Sequence, residues 1–195
     1  MDIVDNELGQ SVVLLPDVIF KNKQNIDWNA VEDYLERYVG SIVEVAETKD
    51  IVYIGKDFPD EYAGSKYTRA LRGARAKAKA NAVQGITEMI EIATDRVYRD
   101  NYKAKHSSDA AQGWYYYTTR FGVPVFENDR KTGEYSVYTA CLVVNHAAND
   151  RLYLYDIVDI KKKRVTHSRL KKPSGKKPLL FLTMIPWYLF HVNCF

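Results

Sequence analysis

Three long stretches in the second half of the chain have the composition of β-strands, and they constrain the fold more than any other feature. They are Trp114–Phe126, Tyr135–Asn145 and Leu152–Ile160, and each is rich in aromatic and β-branched residues. The segments NDRKTG and HAAND that separate them have the composition of turns. The three stretches therefore predict an antiparallel meander.

Side chains alternate between the two sides of a strand, so the first stretch can be divided into two faces. One face carries Trp114, Tyr116, Thr118 and Arg120, and the other carries Tyr115, Tyr117, Thr119 and Phe121. Most of these tyrosines are expected to pack on a half-buried sheet.

The residues before the meander predict a helix and a hairpin. Asp27 is a suitable N-cap for a short amphipathic helix, which Gly40 can end. The stretches 42–48 and 51–54 are rich in β-branched residues and predict a hairpin around the turn between them.

The middle of the chain predicts a loop and alanine-rich helices. Residues 55–65 contain proline and glycine and predict a loop. Residues 66–84 predict a helix whose small-residue face packs closely on a sheet. A second helix follows Thr87, and residues 95–109 are polar and fit a helix or a loop.

The predicted fold class is α+β. It comprises an N-terminal helix and hairpin, Ala-rich helices, and then a three- to four-stranded antiparallel meander. Residues 25–162 are expected to form a single domain. Residues 1–24 are an N-terminal extension, and residues 163–195 form a basic and then apolar tail.

Charge is distributed unevenly along the chain. Nine of the 28 Lys and Arg residues lie in residues 161–195, which contain no acidic residue. Residues 1–160 contain the other 19 Lys and Arg residues and all 25 Asp and Glu residues, so they carry a net charge of about −6. The basic balance of the whole chain therefore describes its tail and not its body.

The cysteine content and the N-terminus favour a reducing cytoplasm. Cys141 and Cys194 form neither a disulfide framework nor a zinc-binding spacing. The acidic N-terminus lacks the basic and apolar regions of a signal peptide. The apolar run that ends the chain is interrupted by Pro186, His191 and Asn193, so no membrane association is expected.

An ordered series of sequence blocks resembles a known domain family. The blocks are VYIGKDFPDEYAGSKYT (52–68), AKAKANAVQGI (76–86), EIAT (91–94), the Lys105-His106 pair, GWYYYTTRFGVPVF (113–126) and NHAANDRLYLYDIVDIKK (145–162). They resemble the third type of large polyvalent-protein-associated domain, found in giant multidomain proteins of phages and conjugative elements. The resemblance implies other domains of such a polyprotein as partners.

The helix-then-meander order of this family is similar to that of the barnase-like and RelE-like ribonucleases, which cleave RNA without a metal. This similarity implies RNA as a partner and a role as a toxin or host-takeover effector. The chain departs from the family at Lys163, where KRVTHSRL replaces the family's Glu-Thr-Ser continuation. A one-nucleotide shift of reading frame would give such a replacement, so we hypothesise that residues 163–195 are a frameshift product.

Metal-free RNA cleavage requires a base, an acid and a cation for the transition state. The candidates are His106, Arg120 and His146, with Tyr155 or Tyr116 as a proton donor or a surface that stacks on a base. Each has a structural alternative. A loop histidine is often surface decoration, and Arg120 can pair with an acid across the sheet.

A cationic stripe is the main candidate for nucleic-acid binding. It consists of Arg69, Arg72, Arg75 and Lys79 at steps of three and four, with Lys103 and Lys105 further along the chain. A solvated helix face is the alternative. The carboxylates of Asp57, Asp60 and Glu61 do not match a calcium loop, and neither a metal nor a cofactor is predicted.

Two functions follow from these observations. The first is a metal-independent endoribonuclease-like effector domain that uses His106, Arg120 and His146. The second is a non-catalytic module that binds nucleic acid or protein through the cationic stripe and the aromatic sheet face. Convergence of the catalytic candidates in one cleft would favour the first, and scattered side chains would favour the second.

Overall fold

The computed structural model describes residues 1–22, 25–101 and 110–163. The strands are β1 (Asp2–Asp5), β2 (Ser11–Leu14), β3 (Ile42–Glu44), β4 (Ile51–Tyr53), β5 (Thr94–Arg99), β6 (Trp114–Glu127), β7 (Arg130–His146) and β8 (Leu152–Lys162). The helices are α1 (Trp28–Leu35), α2 (Phe58–Gly64), α3 (Lys66–Ala70), α4 (Gly73–Ala82) and α5 (Ile86–Glu91). Short 3-10 turns at Glu36–Tyr38 and Val83–Gly85 follow α1 and α4.

The strands form one mixed sheet in the order β1-β2-β6-β7-β8-β4-β3, and β5 adds to β6. The pairs β2–β6 and β4–β8 are parallel, and the other pairs are antiparallel. The strands β2 and β5 share one edge of β6, because β5 pairs with its first half and β2 pairs further along. The long strand β6 therefore has neighbours along both edges.

The predicted fold class is wrong. The strands β6, β7 and β8 pair with one another antiparallel, but they are the centre of an eight-stranded mixed sheet and not a separate meander. The stretch predicted as an N-terminal extension contributes β1 and β2, and the β3–β4 hairpin joins through a parallel pair with β8. Parallel partners lie far apart in sequence, so no local turn signal announces them.

Three local predictions are also corrected. Residues predicted as a loop form α2, in which Pro59 lies in the first turn, where a missing N–H is tolerated. The predicted helix 66–84 is interrupted at Leu71-Arg72, and Gly73 takes a positive φ of 60° there. The polar stretch after Ala93 begins with the strand β5.

The helices pack against one side of the sheet, which we call the covered face. On β6 this face carries Tyr115, Tyr117, Thr119 and Phe121. Phe121 is buried, and the Thr119 hydroxyl donates a hydrogen bond to the carbonyl of Met89 in α5. The main core lies between this face and the helices and includes Val83, Ile86 and Ile90. We call the opposite side, with Trp114, Tyr116, Thr118 and Arg120, the open face.

A buried ion pair fixes α4 to β8 within the core. Lys79 Nζ lies 2.5 Å from Asp156 Oδ1, and their side chains are 0% and 4% exposed. The rings of Tyr62 and Tyr67 lie 4.3 and 5.1 Å from Nζ. Ser65 Oγ and the Ile157 amide donate further hydrogen bonds to the carboxylate. Burial lowers the pKa of Lys79 and raises that of Asp156, and each partner's charge opposes the other's shift.

Three of the blocks that carry the family resemblance meet at this ion pair. The first supplies Tyr62, Ser65 and Tyr67, the second supplies Lys79, and the last supplies Asp156. Tyr62, Lys79 and Asp156 are remote in sequence and buried together, with the partly buried Ser65 and Tyr67 beside them, so the group links α2, α3, α4 and β8. Their presence in the blocks accounts for structure and says little about chemistry.

Candidate binding site on the open sheet face

The open face presents a row of partly exposed aromatic side chains. Trp114 from β6 contacts Tyr155 of β8 edge to face, with ring centroids 5.1 Å apart. Tyr153 lies in register with Asn145, which lies in register with Trp114, so all three share this face. Tyr153 also contacts Tyr53 of β4 at 5.7 Å. Half-exposed aromatic rings on a regular sheet form a surface on which flat groups can stack.

Guanidinium groups lie over two rings of this row. Arg99 of β5 lies 4.9 Å from the centroid of Tyr116, and Arg151 lies 5.1 Å from that of Tyr53. Both arginines are exposed. Lys161 adds a third exposed cation, because it lies in register with Thr139 and hence with Arg120. The aromatic row is therefore bordered by positive charge.

Arg120 is the most unusual residue of the open face. Its side chain is 8% exposed, and the closest carboxylate within the described ranges, Asp95 Oδ2, lies 3.9 Å from Nη2. Its Nε is buried and has no hydrogen-bond partner among the described residues. In native structures a buried polar atom without a partner calls for an explanation, such as a water or ion that completes its bonding.

Asn145 repeats this pattern on the same face. Its Oδ1 is the other buried side-chain atom that lacks a hydrogen-bond partner within the described ranges. Asn145 lies beside Trp114 in the β6–β7 register. Both unsatisfied atoms are thus on the open face, and the buried polar atoms around Lys79 are bonded.

The position of Arg120 follows from an irregularity in the sheet. The register of β5 shifts between Thr94 and Val97, and Asp95 in between has a positive φ of 58°. Pairing of β5 with β6 ends at Thr118, and pairing of β2 begins at Phe121. Arg120 therefore lies where β6 passes from one neighbour to the next.

The structure does not bring together the predicted catalytic residues that it describes. Arg120 and Tyr155 lie on the open face, whereas His146 contacts Tyr115 on the covered face at 5.7 Å. His146 Nε2 is 2.8 Å from Asp150 Oδ1. The sheet therefore separates His146 from Arg120. His106, Lys103 and Lys105 lie outside the described residues.

The predicted cationic stripe is not continuous. Lys79 is buried against Asp156, so its assignment to nucleic-acid binding is wrong. Arg72 lies in the break between α3 and α4, and its Nη1 donates to the carbonyls of Arg69 and Leu71 at 2.5 and 2.7 Å. Arg75 is exposed on α4. The predicted helical spacing fails because the helix is interrupted.

Arg69 has a different environment from the rest of the predicted stripe. It lines a cleft of about 480 Å³ together with Asp27, Asn25, Asn29 and Glu32. Two carboxylates in the same cleft would repel a phosphate, so this cleft does not extend a nucleic-acid surface.

A second polar network lies on the covered face and was missed from the sequence. Asp50 Oδ2 accepts hydrogen bonds from Tyr117 Oη at 2.8 Å and from Thr48 Oγ1 at 2.5 Å. Arg96 Nη1 lies 2.8 Å from Oδ1. Burial acts to raise the pKa of Asp50, but the hydrogen bonds outweigh it and hold this pKa below its usual value. The sequence signalled only a turn at Asp50.

Burial and the hydrogen bond to Asp50 hold the pKa of Tyr117 well above its usual value, so its hydroxyl remains a donor. The network ties the β3–β4 turn to β5 and β6. Its donors and acceptor are matched, so it resembles the Lys79–Asp156 pair more than it resembles Arg120.

Cys141 lies opposite Thr118 on the open face. Burial, reinforced by the charge of Asp159, raises the pKa of its thiol to about 11. The thiol is protonated at neutral pH and is a poor nucleophile there.

The described part of the chain contains neither a cluster of metal ligands nor a helix that could span a membrane. No three His, Cys, Asp or Glu side chains in that part are grouped so that they could hold a metal ion. Its helices are too short or too polar to cross a membrane.

No family model, curated protein or solved structure matches the chain. The resemblance to the third type of large polyvalent-protein-associated domain therefore stays a prediction.

Proposed function

We propose that the chain binds single-stranded nucleic acid on the open face of its sheet. The observation that carries the proposal is the coincidence of unsatisfied buried polar atoms, on Arg120 and Asn145, with a row of half-exposed aromatic rings. Aromatic side chains stack on bases whose faces are free, and nearby cations attract the backbone. RNA, expected from the sequence, is the first ligand to test.

The arrangement favours a single strand over a duplex. In a duplex the faces of the bases are stacked on one another and cannot reach a tyrosine or tryptophan ring. Arg120 and Asn145 lie in register with Thr139 and Trp114, so their positions are separated by six residues of strand, or roughly 20 Å. A ligand that contacts both is therefore an oligonucleotide and not a mononucleotide.

Local charge supports the same ligand. The body carries a net charge of about −6, which disfavours nonspecific attraction of nucleic acid over its whole surface. Arg99 and Arg151 lie over rings of the aromatic row, and Lys161 lies in register with Arg120 further along the open face. Electrostatic attraction is thus expected at this face in particular.

Binding is preferred over cleavage because His146 and Arg120 lie on opposite faces. A general base must come within hydrogen-bonding reach of its proton, directly or through one water. The ribonuclease-like activity, the toxin role, the origin in a phage or mobile element and the cytoplasmic location stay predictions.

The experiment is a titration of the full chain with a fluorescent oligoribonucleotide, monitored by anisotropy. Trp114→Ala is expected to weaken binding by about tenfold or more, since stacking on one aromatic side chain contributes about 1–3 kcal/mol. A matched duplex should bind more weakly than the single strand. Equal affinity of wild type and Trp114→Ala would disprove the proposed stacking surface.

Two arginines allow a matched comparison. Arg99 lies over the ring of Tyr116 on the open face. Arg37, in the 3-10 turn after α1, lies 3.5 Å from the ring centroid of Tyr34 in α1. Arg99→Ala is expected to weaken binding and to reduce its salt dependence, whereas Arg37→Ala should leave both unchanged. Gel analysis of the same samples, with a chelator present, detects metal-independent cleavage directly.

A further inference from the structure

We propose that the Arg120 guanidinium binds one backbone phosphate of the nucleic acid. We call this binding position the phosphate seat, and we propose that the Asp95 carboxylate occupies it when no nucleic acid is bound. The inference rests on the proposed function and adds to it the ligand group that Arg120 recognises. It also gives Asp95 an inhibitory role, because its carboxylate must give way to the phosphate.

The guanidinium of Arg120 has unused capacity for hydrogen bonds. It is permanently charged and carries five N–H donors, yet it forms no hydrogen bond within the described residues. Its distance of 3.9 Å from Asp95 exceeds the usual range for a hydrogen bond. A buried charge that is not matched by hydrogen bonds is unfavourable, so an anion that supplies them would be stabilised.

The ligand is expected to approach from the side of Asp95. The Asp95 side chain is 66% exposed, whereas that of Arg120 is 8% exposed, so solvent reaches the carboxylate that lies 3.9 Å from the guanidinium. The other end of this region is apolar, where Val4, Val12, Leu14 and Val137 form a small cluster around the β2 end of the face. We therefore expect a phosphate to reach the Arg120 guanidinium past the Asp95 carboxylate and not past the apolar cluster.

A phosphate matches the donors of this site. Its oxygens accept the paired N–H bonds of a guanidinium, and such charge-assisted bonds are about twice as strong as neutral ones. Thr139 lies in register with Arg120 on the same face, and its hydroxyl makes only a long hydrogen bond of 3.5 Å to the Lys161 carbonyl, so a phosphate could compete for this donor. A phosphodiester that bound here would continue along β6 toward Trp114 and its aromatic neighbours.

Asp95 is expected to oppose this binding. Its exposed carboxylate is close enough to neutralise part of the charge of Arg120 and would repel an incoming phosphate. An exposed partner contributes little to stability, so its removal should leave the fold intact. Asp95→Asn is therefore expected to tighten binding severalfold.

The test uses an abasic oligodeoxynucleotide, which has the sugar-phosphate backbone but no bases to stack. Its affinity for the full-length chain is measured by anisotropy at several salt concentrations, for wild type, Asp95→Asn and Arg120→Met. We expect Arg120→Met to weaken binding about tenfold or more and to lower the salt slope by about one. Inorganic phosphate, added as a competitor, tests whether the seat accepts a free anion or requires a phosphodiester.

The outcomes separate this inference from the proposed function. If the base-bearing and abasic strands bind equally and both require Arg120, the stacking surface is disproved and the phosphate seat stands. If both strands bind Arg120→Met with wild-type affinity and salt slope, the phosphate seat is disproved, whatever the effect of Trp114→Ala. Weaker or unchanged binding by Asp95→Asn would overturn the role of Asp95, and this variant does not depend on replacing a buried residue.

Discussion

Lys79 and Arg120 are buried cations on opposite faces of one sheet, and they differ in how their charges are matched. Lys79 is 2.5 Å from Asp156, whose carboxylate accepts further hydrogen bonds. Among the described residues, Arg120 has only an exposed carboxylate at 3.9 Å and a buried Nε without a partner. Both side chains are buried, but the charge of Lys79 is matched by hydrogen bonds and that of Arg120 is not. The hydrogen bonds that a buried cation makes, and not its burial, therefore distinguish a structural residue from a candidate binding residue.

The largest expected effect comes from breaking the matched pair. Lys79→Met leaves the Asp156 carboxylate buried without its counterion, and removal of one partner of a buried ion pair costs about 3–5 kcal/mol. Chemical denaturation should show this loss in the free energy of unfolding. The double variant Lys79→Met/Asp156→Leu is expected to recover much of it, since no buried charge remains. If Lys79→Met were as stable as wild type, the pair would not be a structural element.

A smaller effect is expected at the matched network on the covered face. Asp50→Asn removes the charge that accepts bonds from Tyr117, Thr48 and Arg96, and hydrogen bonds to a charged group contribute about 1.5–3 kcal/mol. Because part of each bond can persist with an amide, we expect a loss of about 1–2 kcal/mol at neutral pH.

The same network gives a pH dependence with a defined sign. The pKa of Asp50 is lower in the folded chain than in the unfolded chain, where it is about 3.9. Its contribution is therefore present above that value and is lost as the pH falls through the folded pKa. Urea unfolding of wild type and Asp50→Asn should converge below about pH 4. Asp33→Asn, an exposed change on α1, serves as the control. If the difference in unfolding free energy between wild type and Asp50→Asn did not change with pH, this role of Asp50 would be excluded.

Local sequence signals located several features of the fold. Asp27 caps α1 as predicted, and its side chain accepts a hydrogen bond from the Ala30 amide. The β3–β4 hairpin is present. The alternation along β6 correctly placed Arg120 on the same side as Trp114, because side-chain direction within one strand depends only on parity. These predictions required information from a few neighbouring residues only.

Features that depend on distant partners could not be predicted in this way. Lys79 looked like the next member of an exposed stripe, because Asp156 lies far away in sequence and on a strand. The face of His146 relative to Arg120 depends on the β6–β7 register, in which Trp114 pairs with Asn145, and alternation within one strand does not reveal which residues pair. The parallel pairs of β2 and β4 are likewise nonlocal. The candidate site was therefore only partly visible from the sequence.

The smallest expected effect on stability is also the sharpest test of the comparison. Arg120→Met replaces a buried, poorly bonded guanidinium with an apolar side chain, and Asp95 is exposed enough to be solvated without it. Such replacements are often neutral or stabilising, so we expect the free energy of unfolding to change by less than about 1 kcal/mol.

Lys79→Met is the matched control, because the same substitution on the other face removes a cation whose bonds are used. The two variants should therefore differ by several kcal/mol in denaturant unfolding, although both remove one buried positive charge. If Arg120→Met were destabilised as strongly as Lys79→Met, the bonds of Arg120 would be needed by the fold itself, and its unsatisfied Nε would no longer indicate a ligand. A near-neutral Arg120→Met would mean that the fold retains this arginine without depending on it, as expected of a residue that acts when phosphate binds.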